Sequence, residues 1–111
     1  MKQRAELEAL RSLAFGGISG AYAAVGTPFD HPSRLICFTN NTDGDLLFSR
    51  DGVTDELFIA AGSFKLFDVS TNHRPVNQDD YVFVKGTQWY CKEITSPTEG
   101  SVYIETIYAQ T

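Results

Sequence analysis

From Arg34 onward, short runs of alternating apolar and polar residues are separated by turn-forming residues. Alternation with a period of two places successive side chains on opposite faces of a β-strand. Asp43-Gly44 and Asp51-Gly52 separate the first three runs, and Asp-Gly between such runs is typical of a tight β-hairpin. Turn signals recurring about every 8–12 residues are typical of a sandwich or barrel. The pattern predicts an all-β domain over residues 34–111. We expect a single antiparallel β-sandwich of about seven strands, jelly-roll or immunoglobulin-like in outline.

Both faces of the predicted strands carry large apolar side chains. In the last run, SVYIETIYA, one face holds Val102, Ile104, Thr106 and Tyr108, and the other holds Tyr103, Glu105 and Ile107. The runs LICF, LFIA and YVFV also carry large apolar side chains on both faces. A sheet with one face in water alternates more cleanly than this. We therefore expect the second face to be covered, either by the first residues of the chain or by a neighbouring subunit.

Residues 1–33 have a different pattern and are predicted to form an N-terminal helix and a Gly/Pro-rich arm. Residues 2–14, KQRAELEALRSLA, contain no Gly, Pro or β-branched residue and space their leucines over adjoining turns, which predicts a helix. The stretch that follows predicts an extended arm with one short strand at 22–25. A helix this short is marginal by itself in water, so we expect the first thirty residues to become ordered on the surface of another chain. The candidate partner-binding residues in this segment are Leu7, Leu10, Leu13, Tyr22 and Phe29.

Charge and hydropathy narrow the classes of partner. The formal net charge is −5, and the nine Lys and Arg residues are scattered with no two adjacent. Because nucleic-acid sites need clustered basic residues, direct nucleic-acid binding is disfavoured, and so is attraction to anionic lipid. No apolar run approaches the ~20 residues of a membrane span, and the start lacks the apolar core of a signal peptide. We expect a protein that stays in the cytoplasm unless a larger particle carries it out.

The acidic segment NNTDGDLLFSRDG does not have the spacing of a calcium loop. Taking Asn41, Asp43 and Asp45 as the first ligands puts Leu46 where an EF-hand needs Gly. The same alignment puts Gly52 where the bidentate Glu belongs. An ordinary acidic turn is favoured.

Catalytic and metal sites are also disfavoured, so the chain is predicted not to be an enzyme and to need no cofactor. A set of Cys91, His73 and Asp68 matches a nucleophilic triad in residue type alone, because the apolar run around Cys91 is unlike the setting of a reactive thiolate. His31 and His73 lack a local third metal ligand. Cys37 and Cys91 are expected to be reduced and buried, and a disulfide between them stays open.

The aromatic residues leave one alternative function, a carbohydrate-binding module for host attachment. A sugar-stacking platform or a protein interface could use Trp and Tyr side chains, although most aromatics in strands belong to the core. The candidates for such a platform are Trp89, Tyr22, Tyr81, Tyr90, Tyr103 and Tyr108.

Three pieces of the chain carry a resemblance to a known family: FTNNTDGDLLFSRDGVTD, FDVSTN and GSVYIETIYA. Over residues 20–108 the chain resembles small virion structural proteins of tailed bacteriophages. The resemblance implies a β-sandwich present in many copies, with no cofactor and no catalytic residues. Such proteins include capsid decoration or staple proteins and head–tail neck components. The implied partners are the major capsid protein or head–tail ring proteins, in a virion assembled in the host cytoplasm, with the chain a homo-oligomer in a symmetric assembly. Decoration and neck roles are not separated by the sequence.

Overall fold

The chain folds into two antiparallel β-sheets that pack face to face. The computed structural model describes residues 4–68 and 84–110, in which the only helical element is a 3₁₀ turn at Phe15–Gly17. The described strands are β1 Arg4–Leu7, β2 Arg11–Ala14, β3 Ala23–Ala24, β4 Leu35–Thr42, β5 Leu46–Ser49, β6 Leu57–Ile59, β7 Phe64–Asp68, β8 Tyr90–Glu93 and β9 Gly100–Gln110. Sheet A has the order β1-β9-β4-β7, with β2 also paired to β9, and sheet B has the order β3-β8-β5-β6. The predicted antiparallel sandwich is confirmed.

The core lies between the two sheets and is centred on aromatic rings. Phe38 from β4 is fully buried and meets Phe48 from β5 edge-on, with ring centroids 5.7 Å apart. It also meets Trp89 edge-on, at 4.8 Å. On β9, Val102 and Ile104 are fully buried, so the predicted inward face of the last strand is confirmed for these residues. Six of the predicted runs from residue 34 onward correspond to β4 to β9. The remaining run, YVFVK, lies almost entirely outside the described residues.

The predicted helix over residues 2–14 is wrong, because residues 4–7 and 11–14 are strands that pair with β9. Leu7 lies opposite Ile107 and Arg11 lies opposite Ile104, so residues 8–10 face residues 105–106 across the pair. One extra residue on one strand is a β-bulge, which shifts the alternation of side chains by one. As a result Leu7 lies on the outer side of sheet A, whereas Leu13 packs against the core. Tertiary pairing with the long strand β9 overrides the intrinsic helix propensity of this segment.

The described part of the first thirty-three residues is built into the chain's own sandwich. β3 pairs with β8, which confirms the short strand predicted at 22–25. Ile18, Val25 and Phe29 are buried members of the core. The prediction that this segment needs the surface of another chain to become ordered is therefore wrong for residues 4–33. The division of the chain at residue 33 stays a prediction, although strands from both sides of it share both sheets.

The two Asp-Gly turns differ from one another. Asp51-Gly52 lies in the connection between β5 and β6, which do pair, and Gly52 has a φ of 75° as a hairpin turn requires. Asp43-Gly44, in contrast, connects β4 in sheet A to β5 in sheet B, so the predicted hairpin at this point is wrong. Gly44 is needed here for close packing, since a Cβ atom would overlap the backbone carbonyl oxygen of Thr95.

Candidate interaction surface

The side of sheet A that faces away from the core is mostly apolar. We call it the outer face of sheet A and define it by the cross-strand register. Its described members are Leu7, Ser12, Ala14, Leu35, Cys37, Thr39, Asn41, Phe64, Leu66, Asp68, Ser101, Tyr103, Glu105 and Ile107. These positions alternate with the buried positions of the same strands, because side chains in a strand point to opposite faces in turn.

Large apolar side chains on this face are open to solvent. Leu7 is 69% exposed, Phe64 is 65% exposed and Leu66 is 56% exposed. A shallow depression of about 150 Å³ lies among them, lined by Leu7, Leu35, Cys37, Leu66, Glu105 and Ile107. Contiguous exposed apolar surface of this kind is typical of an interaction site, whereas single exposed apolar residues are ordinary. Four strands spaced ~4.8 Å apart and about five residues long give the patch an area on the order of 300 Å².

Glu105 is the charged residue within this depression. It is exposed on β9, opposite Cys37 of β4, and shares its side of the strand with Tyr103 and Ile107. Within residues 4–68 and 84–110 no hydrogen bond or ion pair holds its carboxylate. The face therefore combines apolar side chains with one carboxylate that lacks an intramolecular cation.

A buried ion pair fixes the edge of sheet A beside the bulge. The Arg11 guanidinium donates to the Glu8 carboxylate at 2.7 Å, and the two side chains are only 5% and 2% exposed. Arg11 also donates to the backbone carbonyls of Thr27, at 2.7 Å, and Pro28, at 2.9 Å. Its guanidinium lies 5.0 Å from the centroid of the Phe29 ring. These contacts join the N-terminal strand to residues 27–29 and so hold Leu7 in place on the outer face of sheet A.

Glu8 has a second partner in His31. The His31 Nδ1 atom lies 3.0 Å from the Glu8 carboxylate, and the imidazole ring stacks on Tyr108 with ring centroids 3.7 Å apart. Burial by itself would raise the pKa of Glu8, but hydrogen bonds from Arg11, His31 and the Asp30 N–H outweigh burial and hold that pKa below its usual value. The carboxylate is thus kept ionised at the edge of the sheet.

The outer side of sheet B is different, because its charged groups pair within the chain. The Tyr22 hydroxyl donates to Asp55 at 2.6 Å, and the Lys92 amine lies 3.1 Å from the same carboxylate and 4.8 Å from the centre of the Tyr22 ring. Partial burial raises the pKa of Tyr22, as do the hydrogen bond to Asp55 and its charge. Away from this outer side, Arg50 pairs with Glu56 in a bidentate arrangement, at 3.0 and 2.7 Å, and both line a cavity of about 440 Å³ beside the core residues Phe38 and Trp89.

The five predicted partner-binding residues are spread over different environments. Leu7 lies on the outer face of sheet A, and Leu10 is exposed in the bulge segment between β1 and β2. Leu13 and Phe29 pack in or against the core, and Tyr22 contributes to the network on sheet B. Their binding role stays a prediction. The exposed positions of Leu7 and Leu10 are compatible with it, whereas Phe29 is buried and is not available to a partner. The residues that the prediction missed are Phe64, Leu66 and Leu35, whose signal was the doubling of apolar residues in adjacent runs.

The reactive residues of the described chain do not form a catalytic set. Cys91 is fully buried, and burial raises the pKa of its thiol to about 12. Cys37 and Cys91 are both free thiols, one in sheet A and the other in sheet B. His73 lies outside the described residues. Among the residues that the structure describes, no group of three or more His, Cys, Asp or Glu side chains could hold a metal ion.

Two further sequence-based interpretations concern sugars and membranes. Trp89 is only 5% exposed and packs in the core, so its ring is not available as a sugar-stacking platform. In the part of the chain that the structure describes, no helix is long and apolar enough to cross a membrane.

Comparison with known proteins finds likeness in structure and not in sequence. No protein-family model matches the chain, and no curated protein matches it. A chain of the capsid asymmetric unit of cyanophage Pam1 is similar in structure, with a TM-score of 0.57 and 15% identity, over 98% of this chain and 86% of that one. A Bacillus protein described as forming endospore appendages, a family of disulfide-linked pili, has a TM-score of 0.53 and 9% identity, over 100% of this chain and 93% of that one. The Dit protein of phage SPP1 covers 96% of this chain and 49% of that one at 12% identity, and its TM-score of 0.41 is too low to support an argument. At these identities the likeness shows the fold alone.

Proposed function

We propose that this chain is a non-enzymatic structural subunit of a tailed-phage virion that binds a neighbouring capsid or head–tail subunit through the outer face of sheet A. The observation that carries the proposal is the open apolar surface on the side of sheet A that faces away from the core. Leu7, Phe64 and Leu66 are each more than half exposed, while other aromatic and aliphatic side chains form the buried core cluster between the sheets. These exposed residues lie outside the core cluster, and a partner surface would account for them.

The size of the face suits a contact that is repeated many times. A patch on the order of 300 Å² is well below the ~800 Å² per partner of a standard stable complex. A contact of this size is weak by itself and becomes effective when many copies are held together, because each further contact is then intramolecular. A subunit of a symmetric particle meets that condition.

The structural neighbours support an assembly role at the level of their printed descriptions. Both neighbours with a TM-score above one half belong to assemblies with repeated subunits, a capsid and a pilus. The resemblance of residues 20–108 to virion structural proteins favours the phage particle over the pilus. We assign the chain to the virion, assembled in the host cytoplasm, with capsid decoration and a neck or tail position as its two possible places.

The carbohydrate-binding alternative has less support from the described residues, and its candidate Tyr81 lies outside them. A module of that kind needs an exposed aromatic platform, and Trp89 is buried in the core while the Tyr22 hydroxyl is held by Asp55. The proposal therefore rests on protein–protein contact.

Mass spectrometry of purified particles tests the proposal. Particles are collected from an infected culture that produces the protein, separated on a density gradient and digested, and the peptides of this chain are quantified against those of the major capsid protein. We expect the chain to co-migrate with particles in a fixed ratio. A ratio that follows the icosahedral copy number indicates decoration, whereas a far smaller fixed ratio indicates a ring at the neck or tail. Absence of the chain from intact particles would refute the proposal.

A further inference from the structure

We infer that the partner covering the outer face of sheet A is a different protein, and that it places an arginine or lysine within an apolar surface to pair with Glu105. This inference rests on the proposed function and specifies the chemistry of its partner. The juxtaposition that carries it is a single carboxylate, without an intramolecular cation, set in the apolar depression formed by β1, β9, β4 and β7.

The position of Glu105 means that a partner covering this face also covers its carboxylate. Glu105 lines the same depression as Leu7, Leu66 and Ile107, and it lies directly opposite Cys37 in the register of β4 and β9. Any surface that buries these apolar side chains takes water away from the carboxylate as well. Burying an ionised carboxylate without a partner is strongly unfavourable, so a complementary charge is required.

Among residues 4–68 and 84–110, the strands of sheet A do not supply that charge on this face. The outward positions of β1, β9, β4 and β7, read from the register, contain Glu105 and Asp68 and no Lys or Arg. On the other sheet, Arg50 and Lys92 already pair with Glu56 and Asp55. With no cation at the described outward positions, we infer that the partner supplies it.

The same charges argue against a second copy of this chain as the partner. A second copy of the same face would bring no Lys or Arg from its described outward positions to pair with Glu105. Like charges brought together in a covered interface weaken affinity on the order of a hundredfold or more. Copies of the chain therefore lie beside one another on a shared surface and do not pair through this face.

Loading of full-length variants onto particles tests the inference. Glu105→Gln removes the charge with little change in shape, Glu105→Lys reverses it, and Glu99→Lys makes the same change in net charge at an exposed position in the loop before β9. We expect Glu105→Gln to weaken loading about tenfold or more, Glu105→Lys to reduce it below detection, and Glu99→Lys to load as the wild type does. Thermal unfolding of each free variant confirms that the fold is kept, which we expect because Glu105 is exposed and has no partner within the described chain.

The outcomes separate this inference from the proposed function. Normal loading of Glu105→Gln and Glu105→Lys beside a loaded wild type overturns the inference and leaves the proposed function standing. Equal losses for Glu105→Lys and Glu99→Lys also overturn it, because net charge would then explain the result. Sedimentation of the free protein provides one further test. A dimer that tightens in Glu105→Gln would identify a second copy as the occupant and overturn the inference. Absence of the wild-type chain from particles refutes the proposed function and the inference together.

Discussion

The outer sides of the two sheets differ in whether their polar and charged groups have partners within the described chain. On sheet B, Tyr22, Asp55 and Lys92 form a connected set in which each polar or charged group has a partner. On sheet A, the corresponding surface presents apolar side chains around a carboxylate that has no partner in the described chain. Since both sheets contribute to the same core, the fold does not require this asymmetry. Under the proposed function, the outer side of sheet B faces water, whereas the outer face of sheet A binds another protein.

The comparison also separates two kinds of ion pair. Arg11 and Glu8, at the edge of sheet A, are almost fully buried and hold the bulged N-terminal strand. Arg50 and Glu56, in the connection between β5 and β6, are 53% and 25% exposed. Distances alone do not distinguish the pairs, since each includes a contact of 2.7 Å. Their burial does, and it predicts different contributions to stability.

The largest difference in particle loading is expected between two variants, one with a charge added to the outer face of sheet A and one with a charge added to the outer side of sheet B. Leu66→Glu adds a carboxylate to the centre of the apolar surface of sheet A, and Phe58→Glu adds one to the outer side of sheet B. We expect Leu66→Glu to reduce loading onto particles at least ~100-fold, because the added charge would be buried without a partner. Phe58→Glu should load normally. Both residues are exposed, so both variants should unfold within ~0.5 kcal/mol of the wild type. Equal loading of the two variants would contradict the assignment of the interface to sheet A.

Removing the arginine of each ion pair is expected to have the next largest effect. Arg11→Ala leaves the Glu8 carboxylate and the Thr27 and Pro28 carbonyls without their donor in a buried site. We expect the free energy of unfolding to fall by about 3–5 kcal/mol. Arg50→Ala removes a largely exposed pair and should cost about 1 kcal/mol or less. Chemical denaturation measures both, and similar losses for the two variants would show that burial does not distinguish the pairs.

A pH dependence is expected from Glu8. Because its pKa is lowered in the folded chain, Glu8 contributes stability that is fully present above the ordinary carboxyl pKa of 4.5 and is lost as the pH falls through the lowered folded value. Glu8→Gln should therefore be less stable than the wild type at neutral pH, by roughly 1–2 kcal/mol, and the difference should shrink in acid. Denaturation curves at several pH values measure this difference. Glu105→Gln is the matched control, since its carboxylate has no intramolecular partner to lose. A difference for Glu8→Gln that is constant over pH would contradict the account.

The smallest effect is expected from the network on sheet B. Lys92→Met removes the ammonium group beside Asp55 while keeping much of the side chain over the Tyr22 ring. The pair is partly exposed, so we expect a loss of at most ~1 kcal/mol in the free energy of unfolding and no change in particle loading. A loading defect in this variant with unchanged stability would show that sheet B is also part of the interface.

The sequence predicts the part of the fold in which hydrophobic alternation is regular. Runs from residue 34 onward correspond to β4 to β9, and the inward positions Val102 and Ile104 on β9 are buried as expected. The helix over 2–14 is wrong for two physical reasons. The segment has high helix propensity, and the bulge at residues 8–10 shifts the alternation so that Leu7 and Leu13 face opposite sides of the sheet. Neither the pairing with β9 nor the bulge can be read from this segment alone.

The sequence also predicts much of the candidate interaction surface, although not for the residues singled out as partner-binding. The register of β9 confirms the prediction that Tyr103, Glu105 and Ile107 share the second face of the last strand. Asp43-Gly44 shows why the connections are harder to predict. A turn dipeptide has the same local chemistry whether it joins two paired strands or crosses from one sheet to the other. The packing of Gly44 against Thr95 is a long-range contact, which no short window of sequence contains.

The most direct test of the account compares the two native thiols in the free protein and in the particle. Cys37 lies in the depression on the outer face of sheet A, and Cys91 is buried in the core, so the chain contains both a probe and its control. The two cysteines fall in separate tryptic peptides, residues 35–50 and 86–92, so maleimide labelling can be read for each by mass spectrometry. We predict that Cys37 is labelled in the free folded protein and protected in the particle, while Cys91 is unlabelled in both until the chain is unfolded. Labelling of Cys37 at the same rate in the particle and in the free protein would contradict the claim that a partner covers this face.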